Sequence, residues 1–156
     1  MQDTQAFMPP NDIIRCARGW LGTPYHHQAS CKGAGTDCLG LIRGVYRELY
    51  GSEPEVAPAY TADWAEVSGQ ETLHEAAARH LMPVAIGDIG PGDVLLFRMV
   101  PSAPAKHAGI CTQDDRMIHA YAGRAVCETH LGRWWHARLA FAFRWPTHHL
   151  LSPPSL

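Results

Sequence analysis

Apolar positions recur at helical spacing twice before residue 50 and give way, after residue 93, to short runs of β-branched and aromatic residues. Ile13, Ile14, Ala17 and Trp20 define the first helical face, with Asn11 or Asp12 as its cap and Gly22 and Pro24 as its stop. Cys16 falls beside that face and reads as a small buried hydrophobe. Residues 25–36 are polar and glycine-rich, a loop leading into a second helix over 38–50. Leu39, Ile42, Val45, Tyr46 and Leu49 make the stripe of that helix, Thr36 or Asp37 its cap, and Gly51 its stop. Residues 52–70, with prolines at 54 and 58, show no period and are expected to cross the surface as an irregular connection; a third helix is predicted over about 71–81. Five strand-like runs follow Pro91, Gly92 and Asp93, at 94–97, 107–112, 117–121, 125–129 and 139–144. Helices first and an antiparallel sheet afterwards is an α+β plan. No repeat or long linker divides the 156 residues, so one domain is expected, its core at about 11–145 and its tail, 146–156, flexible or docked.

Composition narrows the partners. The chain is 46% apolar and 18% charged with a formal charge of -2, and it has no run of lysines or arginines. It therefore lacks the electrostatic footprint that a nucleic acid or an anionic membrane requires. The start carries no basic segment followed by an apolar run, so synthesis in the cytoplasm without a signal peptide is expected. Five cysteines, an odd number, argue against a disulfide framework. His26, His27, Cys31 and Cys38 could suggest zinc, but their spacing fits no compact ligand pair, and no metal or cofactor is expected. His26 and His27 are expected at the mouth of a cleft or facing solvent. Trp134, Trp135 and His136 read as packing before the last strand rather than as a partner-binding patch.

Cys38 falls in the first turn of the second helix, where unpaired amides lower a thiol pKa and can hold an oxyanion. Such a nucleophile needs a base and a group to orient that base. If the runs beginning at 107 and ending at 121 form a hairpin closed by Gln113, Asp114 and Asp115, His107 lies opposite Tyr121 and Gly109 opposite His119. The two histidines then share a face as diagonal neighbours, close enough for imidazole to bond imidazole. Gly40 and Gly109, beside Cys38 and His107, are read as leaving room for a substrate backbone.

Gly22-Thr23-Pro24-Tyr25, Asp37-Cys38-Leu39-Gly40-Leu41, Pro91-Gly92-Asp93, His107-Ala108-Gly109-Ile110 and His119-Ala120, in that order, resemble the NlpC-type papain-like cysteine peptidases of bacterial cell wall, and more closely their phage-tail and gene-transfer-agent branch. The resemblance covers about residues 11–145. It implies a papain-like fold, with N-terminal helices packed on an antiparallel sheet of about five strands. It also implies that Cys38 attacks a peptide carbonyl, that His107 takes the thiol proton and returns it to the leaving amine, and that His119 fixes the tautomer of His107. Tyr25 would sit near the oxyanion, the Cys38 amide would donate to it, and Asp37 would bind the free amine of a stem peptide, as in the family's γ-D-glutamyl endopeptidases.

Two departures stand out. Leu39 replaces the family's usual small hydroxyl residue after the cysteine, which the phage-type branch tolerates, and Pro58, Ala59 and Tyr60 replace a basic loop. The implied partners are the peptidoglycan stem peptide and the tail-tip or baseplate proteins of a phage-like particle, which would carry the enzyme to the wall. The alternative is a structural adaptor or plug of a tail tip with little or no catalysis; an amidase or acyltransferase on the same scaffold is a third reading. The bond cut, the host, the assembly state and the roles of Cys31, Cys111 and Cys127 are left open.

Overall fold

A computed structural model of the chain describes residues 6–53 and 71–148. Helix α1 spans Pro10–Arg18, with Pro9 as N-cap and no side-chain cap bond. Asn11 and Asp12 therefore lie inside the first turn rather than capping it. Proline at the first helical position explains the earlier start, since its missing N–H has no partner there in any case. The helix also ends earlier than Gly22, at Arg18, but Trp20 still turns inward and is only 1% exposed. The stretch expected to be loop holds two short strands, β1 (Ser30–Cys31) and β2 (Gly35–Thr36), which pair antiparallel.

Helix α2 spans Cys38–Tyr50, between an N-cap at Asp37 and a left-handed Gly51 at φ 85°. The two helices meet where Trp20 lies over Gly44; a Cβ there would come within 2.0 Å of the indole. Cys16 is half-buried rather than fully buried, and its thiol donates to Glu48 Oε2 at 2.6 Å. Helix α3 runs Thr72–His80. The irregular connection from residue 54 to 70, including Pro58, Ala59 and Tyr60, lies outside the described residues, as does the tail from 149.

Among the described residues the main sheet has six antiparallel strands rather than five: β3 (Met82–Val84), β4 (Val94–Phe97), β5 (His107–Cys111), β6 (Arg116–His119), β7 (Cys127–His130) and β8 (Leu139–Arg144), in the order β3-β8-β4-β5-β6-β7. The unexpected strand, β3, is three residues long and contains Pro83, which an edge strand tolerates because one side needs no donor. Alternation sorts the sheet into two layers. Val94, Leu96, Ala108, Ile110 and Ile118 join Ile13, Ala17, Trp20, Leu41 and Val45 under the helices. Leu95, Phe97, Cys111, Met117 and Ala142 pack on the other face with Leu131. A further element absent from the sequence reading, the short helix α4 (Gly132–His136), lies over this second face through Trp135.

Candidate active site

Asp37 fixes the start of α2. Its Oδ1 accepts the Gly40 N–H at 2.7 Å and its Oδ2 the Gln28 N–H at 2.8 Å, so the loop and the first helical turn share one buried carboxylate. Cys38 is then the first residue of α2, where backbone N–H groups have no partner within the helix. Its Sγ lies 3.7 Å from the carbonyl oxygen of Lys106, and the N–H of Ala108 reaches the same sulfur. The thiol is thus seated on the backbone to either side of His107. Cys38, His107, Tyr25, His27, Lys106 and Tyr121 line one open cleft of about 230 Å³.

The β5–β6 hairpin has the register expected from its three-residue closure. Ile110 pairs with Ile118 and Cys111 with Met117, and Asp114 and Asp115 take φ of 58° and 57° to make the turn. Continued, this register sets Gly109 opposite His119. His107 Nε2 and His119 Nδ1 lie 2.9 Å apart, one N–H donating to the other ring nitrogen. His107 also has aromatic neighbours: Trp135 at 5.1 Å between ring centroids and 27° between planes, Tyr121 at 5.3 Å and Phe97 at 5.9 Å.

The electrostatics run against the thiolate expected at a helix start. Burial, and secondly the negative charge of Asp37, push the Cys38 thiol up to about 12, while the N–H groups of Ala108, Leu39 and Cys38 pull it down by less. The same carboxylate that caps the helix cancels part of its positive end. Burial holds the His107 imidazole well below its ordinary pKa, helped by His119, and burial does the same to His119, helped by Arg124. The thiol is shifted up and both imidazoles down, and each shift favours the uncharged form. Tyr25 is held up at about 12 by burial and by Cys38 and Asp37, so its hydroxyl keeps its proton.

Residues 22–144 match the sequence profile of the NlpC/P60 family. The chain belongs to that family. Proteins similar to this NlpC/P60 chain include "Probable endopeptidase" of Mycobacterium tuberculosis, 30% identical over 108 residues, which are 69% of this chain and 22% of that protein. Another is "Gamma-DL-glutamyl hydrolase" of Bacillus subtilis, 25% identical over 128 residues, 81% of this chain and 27% of that one. The chain therefore spans about a quarter of the length of these curated relatives. Its fold overlays on the NlpC/p60 domain of the peptidoglycan hydrolase SagA with a TM-score of 0.63 at 20% identity, covering 87% of this chain and 98% of that one. It overlays equally, at 0.63 and 22% identity, on an NlpC/P60 family protein from Bacillus cereus, covering 89% of this chain and 41% of that one. The overlays establish the papain-like α+β fold.

The fold thus brings Cys38, His107, Tyr25 and Asp37 to one cleft and His119 onto His107. His27 lines the cleft, and His26 is exposed beside it. The two glycines do not make room for substrate, contrary to the sequence reading. A Cβ on Gly40 would fall 1.9 Å from the Ala29 carbonyl oxygen, and one on Gly109 would fall 2.6 Å from Met117 Sδ, so both serve close packing within the chain. Trp135 packs inward as expected, but Trp134 is 48% exposed. The stacking of Trp135 on His107 was not legible beforehand, because the helix that presents it begins at a glycine with φ 61° and is only five residues long.

Proposed function

We propose that the chain is a cysteine peptidase that hydrolyses peptide bonds in the stem peptides of bacterial peptidoglycan, with Cys38 as nucleophile, His107 as base and His119 as the group that orients it. The observation that carries this reading is the contact of His107 Nε2 with His119 Nδ1 beside a thiol seated on the backbone flanking His107. When Nε2 donates to His119, Nδ1 of His107 is the nitrogen left to accept a proton. Sulfur attacks the peptide carbonyl as its proton passes to Nδ1. The oxyanion then accepts from the Cys38 N–H at the helix start and from the Tyr25 hydroxyl. Collapse to a thioester expels the amine, which takes the proton from His107; water, deprotonated by the same ring, then releases the acid and restores the thiol.

A neutral pair suits this sequence of events, because the buried thiol and imidazole need carry no charge of their own until the carbonyl is present to receive it. Asp37, with both oxygens bonded to backbone N–H groups, acts on a stem-peptide ammonium as a negative charge in the cleft wall. The similarity to a "Probable endopeptidase", a "Gamma-DL-glutamyl hydrolase" and the peptidoglycan hydrolase SagA supports this substrate class. Digestion of purified sacculi followed by mass spectrometry tests it: new amine and carboxyl ends within stem peptides are the expected product, and intact stems with altered glycan ends would overturn it.

Delivery on the tail tip of a phage-like particle, among tail-tip or baseplate proteins, is the finer part of the same proposal. It rests on the motif resemblance to the phage-tail branch, which tolerates an apolar residue such as Leu39 after the nucleophile. The chain is expected to co-purify with such particles; particles that lack it would remove this part and leave the chemistry standing.

A further inference from the structure

Proton transfer from Cys38 turns His107 into a cation in a place built to hold it neutral. His107 is only 8% exposed, and among the described residues no carboxylate is bonded to its ring, whose hydrogen-bond partner there is another imidazole. What faces it instead is aromatic. Trp135 lies 5.1 Å away at 27°, an offset stack, and Tyr121 and Phe97 stand at 5.3 and 5.9 Å, each tilted by 39°. All three lie within the range over which a ring face attracts a cation, and indole has the strongest face. Trp135 also touches His119 at 5.2 Å and Tyr121 at 5.7 Å, so one side chain contacts both histidines.

The indole is not there by default. Helix α4 has no side-chain cap and is short, and it is tied to the hairpin turn by Asp115. That residue accepts the Leu131 N–H on its carbonyl at 2.8 Å, and its Oδ1 accepts from His136 Nε2 at 2.6 Å. The turn that sets the register of the two histidines therefore also anchors the helix that lays Trp135 against them.

From this arrangement we infer that Trp135 is a positioning residue of the reaction: its π face holds the His107 ring in place and stabilises the imidazolium formed when the Cys38 proton arrives. The inference rests on the assignment of Cys38 and His107 given above. It places the stabilisation in the transition state rather than in substrate binding, since Trp135 meets the charge only after the proton has moved.

The test compares full-length wild type with Trp135→Phe, Trp135→Leu and a protein carrying a ring-fluorinated tryptophan at 135, which keeps the shape and weakens the π face. Two rates are read: turnover of peptidoglycan stem peptide, and alkylation of Cys38 by iodoacetamide at pH 7, followed at the peptide that contains it. Thermal melting verifies folding. Expected are a fall in kcat of about tenfold in Trp135→Leu with KM within about twofold, a matching fall in alkylation, and an intermediate loss in Trp135→Phe. The fluorinated protein should lose severalfold at an unchanged melting temperature, and it decides the matter if Trp135→Leu does not fold. Wild-type rates in the fluorinated protein would overturn the inference. A separate control keeps the two claims apart: if His107→Ala leaves Cys38 alkylation unchanged, the catalytic assignment itself fails, whereas sensitivity to His107 without sensitivity to Trp135 removes only the present inference.

Discussion

His107 Nε2 and His119 Nδ1 lie 2.9 Å apart with their ring planes at 80°, an edge-on contact across two adjoining strands. Only one tautomer of this pair serves the proposed mechanism, the one in which His107 donates and keeps Nδ1 bare. His119→Ala removes that constraint and leaves a buried N–H without its acceptor. We expect kcat to fall about 10²-fold with little change in KM, and His119→Asn, whose side-chain oxygen can accept, to recover part of the loss. Steady-state kinetics on a defined stem peptide measures both.

Acid should loosen this fold through the same pair. Both imidazoles have folded pKa values lowered from 6.5 by burial, so below that value the unfolded chain binds more protons than the folded one. The stability they contribute is complete above pH 6.5 and is lost as pH falls toward the folded values, by up to about 1.4 kcal/mol per pH unit for each group. Urea denaturation at pH 7, 6 and 5 should show a falling midpoint, and the double variant His107→Gln, His119→Gln a shallower fall.

Asp37 plays two opposed parts. Its carboxylate caps α2 and ties down the Gln28 loop, yet its charge raises the Cys38 pKa. Asp37→Asn keeps an acceptor for Gly40 and removes the charge. The thiol pKa is therefore expected to fall and Cys38 to be alkylated faster at neutral pH, while stability drops by about 1 kcal/mol because the amide turns an N–H toward Gln28. Asp37→Ala should cost more, about 2 kcal/mol, with the helix start unpinned.

Gly40 is required by packing. A methyl there meets backbone, the Ala29 carbonyl oxygen at 1.9 Å, and also Thr36 Oγ1 at 2.6 Å. Gly40→Ala should destabilise the protein by about 2 kcal/mol or more and displace the loop that Asp37 holds. Gly87→Ala, with nothing within 4 Å, is the control for which melting should barely move.

The parts of this protein that were legible in its sequence are those fixed by short-range chemistry. Asp37 and Gly51 bracket α2 because a side-chain cap and a left-handed glycine act within a few residues. The hairpin register followed from a closure of three residues, two of which adopt positive φ. The features that were missed depend on distant partners. Met82–Val84 is a strand only because β8 offers an edge, with Pro83 set against Phe143. Helix α4 exists because Asp115, in a different turn, holds it. The thiol pKa differs for the same reason: the amides at the helix start lower it as a local effect, whereas the sulfur's burial against β5 and the charge of the capping Asp37, which raise it by more, belong to the folded whole.

The central claim is that the sulfur of Cys38 forms the bond to the substrate carbonyl. Release of soluble muropeptides from purified peptidoglycan by wild type and by Cys38→Ala, matched in melting temperature, measures it most directly. The structure predicts that the variant releases no more than buffer does; equal release by the two proteins would contradict that account and favour an adaptor role for the fold.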